Sequence, residues 1–299
     1  MHFHRCGQVV ILLSILMFVG GCSSTKKSSS IDVKTLEQNL NNLVTPFRGD
    51  VGVYAKNLKT GVEITINADV LFPTASMVKV PILLTLFQKI QNGDIDYDST
   101  FIWSADVVNY SDDGLLSCFK DSSSISLTKI ISLMITYSDN LASLWCQQLS
   151  GGGIEINRWL DAYGFTQTRM NSRTPDRQDD WEIYGWGQTT PREMAGMVQL
   201  IHENKAVSPW ASEEMYRYLT RIYWDDEALS SIPRTVQVAS KQGAVNASRS
   251  EVLLVNAPRG DYVFCVITNN QNDESWGEDN EGYVLLREVS AQFWSAWGN

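Results

Sequence analysis

A chain of 299 residues with 43% hydrophobic content and ten tryptophans has enough apolar material for one large domain or two closely packed halves. Its 24 basic and 34 acidic residues leave a formal charge of −10, which argues against a nucleic-acid partner and gives no basic patch for anionic lipid. Of three histidines, His2 and His4 stand at the extreme N-terminus and only His202 lies in the body of the chain, so neither a histidine-based triad nor a histidine-rich zinc site is expected. No metal or other cofactor is expected, and His202 reads as a surface or packing residue.

Arg5 precedes a short apolar run, Val9 to Val19, too short to span a bilayer but suited to a signal-peptide core. The run ends at Val19-Gly20-Gly21-Cys22, and Ser23 to Ser30 is a polar tether. Residues 31–299 then form the folded domain. Ile31 to Thr45 carries Val33, Leu36, Leu40 and Leu43 at helical period. Val51 to Ala55 and Val62 to Ile66 read as strands around a turn at Lys59-Thr60-Gly61. A helix with the stripe Met77, Val80, Leu83, Leu84, Phe87 and Ile90 comes next, stopped by Gly93, with an irregular opening because Pro81 removes a backbone donor. Residues 76 to about 232 are mainly helical with long loops. Three strands return at Val236 to Gln242, Ser250 to Val255 and Tyr262 to Ile267, the last two joined through Pro258-Arg259-Gly260-Asp261. Tyr283 to Trp297 closes the chain with a helix.

This order predicts an α+β fold: a five-stranded antiparallel sheet flanked by terminal helices, with an inserted all-helical subdomain. The sheet part covers about 31–75 and 233–299, the helical part about 76–232, with a cleft between them. Beyond Cys6 and Cys22 of the N-terminal segment, Cys118, Cys146 and Cys265 remain. Cys265 falls in an apolar strand and reads as a core thiol. A Cys118–Cys146 bridge is an open alternative in an oxidising compartment.

Ser76 and Lys79 stand one helical turn apart, where an amine can take the proton of a hydroxyl. Ser-x-x-Lys alone carries little weight, since it also begins at Ser23, Ser24, Ser117 and Ser126; Ser126 reads as a helix-capping serine. Ser76 is set apart by two triplets downstream: Ser138-Asp139-Asn140, then Lys241-Gln242-Gly243 at the end of a strand. In order and spacing the three elements resemble the serine-reactive β-lactamases and penicillin-binding proteins, class A β-lactamases in particular. Thr189-Thr190-Pro191-Arg192-Glu193-Met194-Ala195 is similar to the run that succeeds the active-site loop of that family. Val19 to Cys22 resembles a bacterial lipobox. It implies lipidation at Cys22, a periplasm-facing anchor, and the outer membrane in a Gram-negative cell, because Ser23 is not aspartate.

The resemblance implies Ser76 as the acylated nucleophile, Lys79 as its proton partner and Ser138 as the shuttle to the leaving nitrogen. Asn140 would position substrate or hold Lys79, Lys241 would favour anionic substrates and help orient Ser138, and the backbone N–H groups of Ser76 and Ala244, beside Gly243, would form the oxyanion hole. Two departures stand out. Gln242 replaces the usual threonine, and Arg249 would either supply the missing contact to a substrate carboxylate or be an exposed strand charge. The loop glutamate that activates the deacylating water has no counterpart: the family spacing reaches Thr174. Asp176, Asp179, Asp180 or Glu182 would substitute if the loop folds differently; otherwise they form a solvated acidic loop. The implied function is a monomeric serine hydrolase acting on β-lactams. The alternatives are a D-alanyl-D-alanine carboxypeptidase-like peptidase and a non-catalytic peptidoglycan-binding lipoprotein.

Overall fold

The computed structural model describes residue 2 and residues 32–112 and 114–298. The expected signal segment, Cys22 and the tether lie outside the described residues. Helix α1 (Val33–Val44) starts where the Asp32 carboxylate accepts from the Lys34 and Thr35 backbone N–H groups. Strands β1 (Asp50–Asn57) and β2 (Glu63–Ile66) form a hairpin whose turn is tied by Asn57 Oδ1, an acceptor for Lys59 and Thr60 N–H.

After the helical region come β3 (Val238–Val245), β4 (Ser248–Val255) and β5 (Tyr262–Asn269), then α1's partner helix Glu281–Phe293 and a single π turn, Trp294–Gly298. The sheet is antiparallel in the order β2-β1-β5-β4-β3. Its register sets Tyr54 opposite Cys265 and Lys241 opposite Val252. The expected five-stranded architecture is present, although β3 and β5 run two or three residues beyond the ends that the apolar pattern marks.

Both faces of the sheet are buried, following its period of two. Val53, Ala55, Phe264 and Val266 pack against Leu36, Leu40, Leu286 and Phe293 of the terminal helices. Tyr54, Val252, Val263 and Cys265 face the opposite side with Met194, Ala195, Val198 and Ile201 of the helix Pro191–His202. That helix therefore covers the sheet directly, although it lies inside the stretch expected to form a separate helical part. Cys118, Cys146 and Cys265 are free thiols, so the Cys118–Cys146 bridge is not formed. Cys146 and Cys265 are buried and Cys118 is exposed. His202 Nε2 lies 3.1 Å from Asp261 Oδ2 at the surface of the sheet side. No helix among the described residues is long and apolar enough to cross a membrane.

Candidate active site

Ser76 sits on a 3-10 turn, Ala75–Val78, immediately ahead of the α-helix Lys79–Gln91. Pro81 is the third residue of that helix, where its missing N–H is one of the donors that no helix satisfies internally, so the opening is irregular at little cost. Ala75 holds φ of +44°, a strained conformation that over-determined surroundings must enforce. They do so through Thr74, whose backbone N–H and hydroxyl both donate to the Gly187 carbonyl at 2.9 Å. Gly187 begins the short strand Gly187–Thr189 that leads into Thr190, the N-cap of the helix Pro191–His202. The Thr-Thr-Pro run thus braces the nucleophile's turn from below.

The second element comes from the loop between the helices Leu127–Ile135 and Asn140–Leu149. Asp139 caps the latter, accepting from Ala142 N–H at 2.8 Å, and also accepts from Leu116 N–H at 2.9 Å. Ser138, ahead of the cap, holds φ of +60°. The third element is β3, which must pass close to Ser76. A Cβ on Gly243 would stand 2.9 Å from the Ser76 nitrogen and 2.9 Å from the Thr74 carbonyl oxygen, so only glycine fits without movement.

These segments converge on Lys79. Its Nζ lies 2.8 Å from Ser76 Oγ, 2.6 Å from the Ser138 carbonyl oxygen, 3.0 Å from Ser138 Oγ and 3.0 Å from Asn140 Oδ1. On the far side of Ser138 Oγ, Lys241 Nζ stands at 3.0 Å and also donates to the carbonyl and Oε1 of Gln242. Asn140 is itself oriented by Asp112, whose carboxylate accepts from its Nδ2 at 2.8 Å. Both lysines are fully buried. Burial pushes the Lys79 ammonium well below its ordinary range; the charge of Lys241 adds to this, and Asp139 and Asp112 oppose it. Burial brings Lys241 down to about 7, against the pull of Glu227 and Glu251.

A neutral Lys79 has two N–H bonds and one lone pair. The Ser138 carbonyl and Asn140 Oδ1 are pure acceptors and take both N–H bonds, which leaves the lone pair for the hydroxyls. The arrangement can therefore deprotonate Ser76 and carry the proton on through Ser138.

Ser76, Ser138, Asn140, Gln242, Gly243 and Ala244 line one cleft of about 370 Å³. A second hollow of about 400 Å³ on the other side of Ser76 is lined by Tyr110, Tyr184, Trp186 and the Val245–Ser248 turn. The remaining expected residues are elsewhere. Arg249 does not reach a substrate: one terminal nitrogen donates to the Val245, Asn246 and Ser248 carbonyls and the other to Ser275, while Trp276 and Tyr283 stack on it. It is wholly buried and structural, neither of the two roles its sequence position suggests.

Thr174 packs onto the helix Gly152–Ala162, where it leaves no room for a side chain at Gly153. Asp176, Asp179 and Glu182 are exposed and Asp180 is partly exposed, paired with Arg177 at 3.2 Å. None of the four lines either hollow beside Ser76. The helix Gln178–Tyr184 presents its acids outward, so the solvated acidic loop is the reading the geometry supports. Ser126 occupies the N-cap of its helix, yet its hydroxyl pairs with Thr128 Oγ1 at 3.0 Å and makes no backbone cap bond.

Sequence reasoning missed Asp112, Glu227 and Glu251. Glu251 is fully buried, accepts from the Ser240 hydroxyl, and has its carboxyl pushed up to about 7 by burial. Glu227, on the cleft wall, is raised well above the ordinary carboxylate range by burial and by Glu251. A charged residue in a strand that is buried throughout, as at Glu251, is the signal the sequence offers.

A serine, two buried lysines and a second serine in this α+β frame define a serine acyl-transfer hydrolase. The sequence profile of the β-lactamase enzyme family matches residues 35–297, and the chain belongs to that family. It is a β-lactamase-like serine hydrolase. The β-lactamase VEB-1 of Pseudomonas aeruginosa is 21% identical over 97% of this chain and 99% of its own length. Among solved structures, PBP-A is 25% identical with a TM-score of 0.78, covering 89% of this chain and 97% of its own. A β-lactamase from Sphaerobacter thermophilus has a TM-score of 0.78 at 21% identity, over 90% of this chain and 98% of its own.

Proposed function

We propose that Ser76 is acylated by β-lactams and that the acyl-enzyme is released slowly. The observation that carries this reading is the buried Lys79 amine, depressed in basicity and 2.8 Å from Ser76 Oγ. In the step, Ser76 Oγ bonds to the lactam carbonyl carbon and its proton passes to Lys79. As the carbon–nitrogen bond breaks, Ser138 delivers a proton to the leaving nitrogen. Lys241 steadies Ser138 Oγ, and the Ser76 and Ala244 N–H groups receive the oxyanion, a contribution of about 3–4 kcal/mol per donor. A point mutant of PBP-A, similar in fold, has been captured as an acyl-enzyme complex with penicillin G, which supports acylation here.

Slow release is supported by the placement of Thr174 and the four loop carboxylates away from Ser76. The same placement favours a second reading, a carboxypeptidase-like peptidase whose natural substrate is a D-alanyl peptide. A binding-only role has no use for a complete Ser76, Lys79 and Ser138 set.

Intact-protein mass spectrometry over time with benzylpenicillin tests the reading. A Ser76-dependent adduct that persists is expected; no adduct, or one retained in Ser76→Ala, refutes it. We also propose that the protein is a monomer, anchored by lipid on Cys22 and facing the periplasm, at the outer membrane in a Gram-negative cell. The support is the sequence pattern, and palmitate incorporation that survives Cys22→Ser would sink the anchor.

A further inference from the structure

The two hollows beside Ser76 are chemically distinct. Ser138, which faces the leaving nitrogen in the proposed reaction, lines only the first of them. That first hollow therefore receives the leaving-group side of the substrate, where a β-lactam carries its carboxylate. Its walls do not suit an anion. Asp226, Glu227 and Glu278 line it, against one arginine, Arg287, which spends two of its five N–H groups on the Asp226 and Glu278 carbonyls, so acidic side chains outnumber basic ones there. Lys241 has three partners, Ser138 Oγ and both oxygens of Gln242; Arg249 does not line this hollow, its terminal nitrogens donate to backbone carbonyls, and its Nε is buried.

Glu227 carries the second observation. It is only 8% exposed, lines this hollow, and its Oε2 meets no donor among the described residues. A buried acceptor without a donor is uncompensated, and an arriving N–H group relieves it.

Resting on the acylation reading, we propose that the leaving-group side of the cleft recognises a primary carboxamide, with the carboxyl group of Glu227 as its partner. The substrate class is an amidated β-lactam or an amidated peptide. The pairing holds in either protonation state. An ionised Glu227 accepts an amide N–H, and a protonated one accepts N–H while donating to the amide oxygen. A carboxylate meets repulsion in the first case and gains one bond in the second, whereas a methyl ester supplies no donor in either. Gln242, where a hydroxyl is usual, adds a neutral amide to the same wall.

The test compares benzylpenicillin, its methyl ester and its primary carboxamide, reading the rate of adduct formation by intact mass. The carboxamide is expected to acylate about ten-fold faster than the ester, the size of one buried hydrogen bond, and also faster than the carboxylate. In Glu227→Leu the carboxamide-to-ester ratio falls to about one. Benzylpenicillin acylating fastest, or a carboxamide advantage that survives Glu227→Leu, overturns the proposal and leaves the acylation reading standing. No adduct from any of the three refutes both. Should Glu227→Leu not fold, the order of rates in the parent protein decides.

Discussion

Glu251 is a carboxyl group in the wrong place for stability, and Glu251→Gln measures by how much. Burial lifts its pKa from 4.5 to about 7 in the folded protein. A folded-state pKa above the unfolded value makes the contribution to stability fully present below about 4.5. It is lost as pH rises through about 7. At about 1.4 kcal/mol per pH unit, the ionised group costs the folded parent about 3 kcal/mol at pH 8.5 and nothing at pH 4.5. Glutamine keeps an acceptor for only one of the two donors that Glu251 serves, since the Ser240 hydroxyl donates to Oε1 and the Leu229 N–H to Oε2. Its extra N–H₂ adds a penalty of about 1–3 kcal/mol, but that penalty is equal at both pH values. The loss of a partner for Lys241 matters little at pH 8.5, because Lys241 is itself mostly neutral above about 7. Urea unfolding of parent and variant at the two pH values isolates the titration. The variant's relative stability should improve by about 2–3 kcal/mol between pH 4.5 and pH 8.5, roughly 4–12 °C in Tm. A difference between the two pH values below about 0.5 kcal/mol refutes the buried-charge argument.

Lys79→Ala should slow acylation by about 10²–10⁴-fold with the fold intact. In the parent the rate should rise with pH and level off well below 10.5, because burial keeps the amine neutral there; stopped-flow acylation against pH reads both. Gly243→Ala forces a Cβ to 2.9 Å from the Ser76 nitrogen and should cost about 1–3 kcal/mol together with a loss of acylation rate; a parent-like variant would mean that β3 backs away freely. Amide scans at Asp176, Asp179, Asp180 and Glu182 should leave the adduct's lifetime unchanged, and one variant that lengthens it markedly would return the water-activating role to this loop.

The legible parts of the chain are those whose physics is local. Leu36 and Leu40, or Val53 and Ala55, declare a buried face by period alone, whereas the order of strands in the sheet is not encoded by period. Ser76 and Ser138 stand at element boundaries, a proline-disturbed helix start and an aspartate cap, whereas Lys241 lies within β3; the three were legible as a group through the order and spacing of their short motifs. Arg249 was not. Whether a strand arginine points to substrate or threads into backbone carbonyls depends on where Trp276 and Ser275 return, and no local pattern encodes that. For the loop acids the sequence left two readings open, and the outward placement of Asp176, Asp179 and Glu182 favours the solvated loop. The helix Pro191–His202 also shows the limit. Its apolar stripe predicts a helix, while its assignment to the sheet face rests on tertiary packing.

The two lysines explain why so much carboxylate surrounds this site. Lys79 works as a base only when uncharged, and burial alone depresses it; Lys241 across Ser138 adds a second depression only while it is charged. Burial works against Lys241 as well, so its charge needs support, and Glu227 and Glu251 are the groups that pull its pKa upward. The support has a cost, since both carboxyls are themselves raised and so destabilise the fold once ionised. The cluster is therefore a chain of compensations running from Ser76 through Lys79, Ser138 and Lys241 to the acids behind β3. The buried carboxyl of Glu251 is intelligible as the last member of that chain. It also follows that Glu251→Gln, whose relative stability improves toward high pH, should raise the basicity of Lys79 near pH 6–7 by leaving Lys241 less charged, and so slow acylation there.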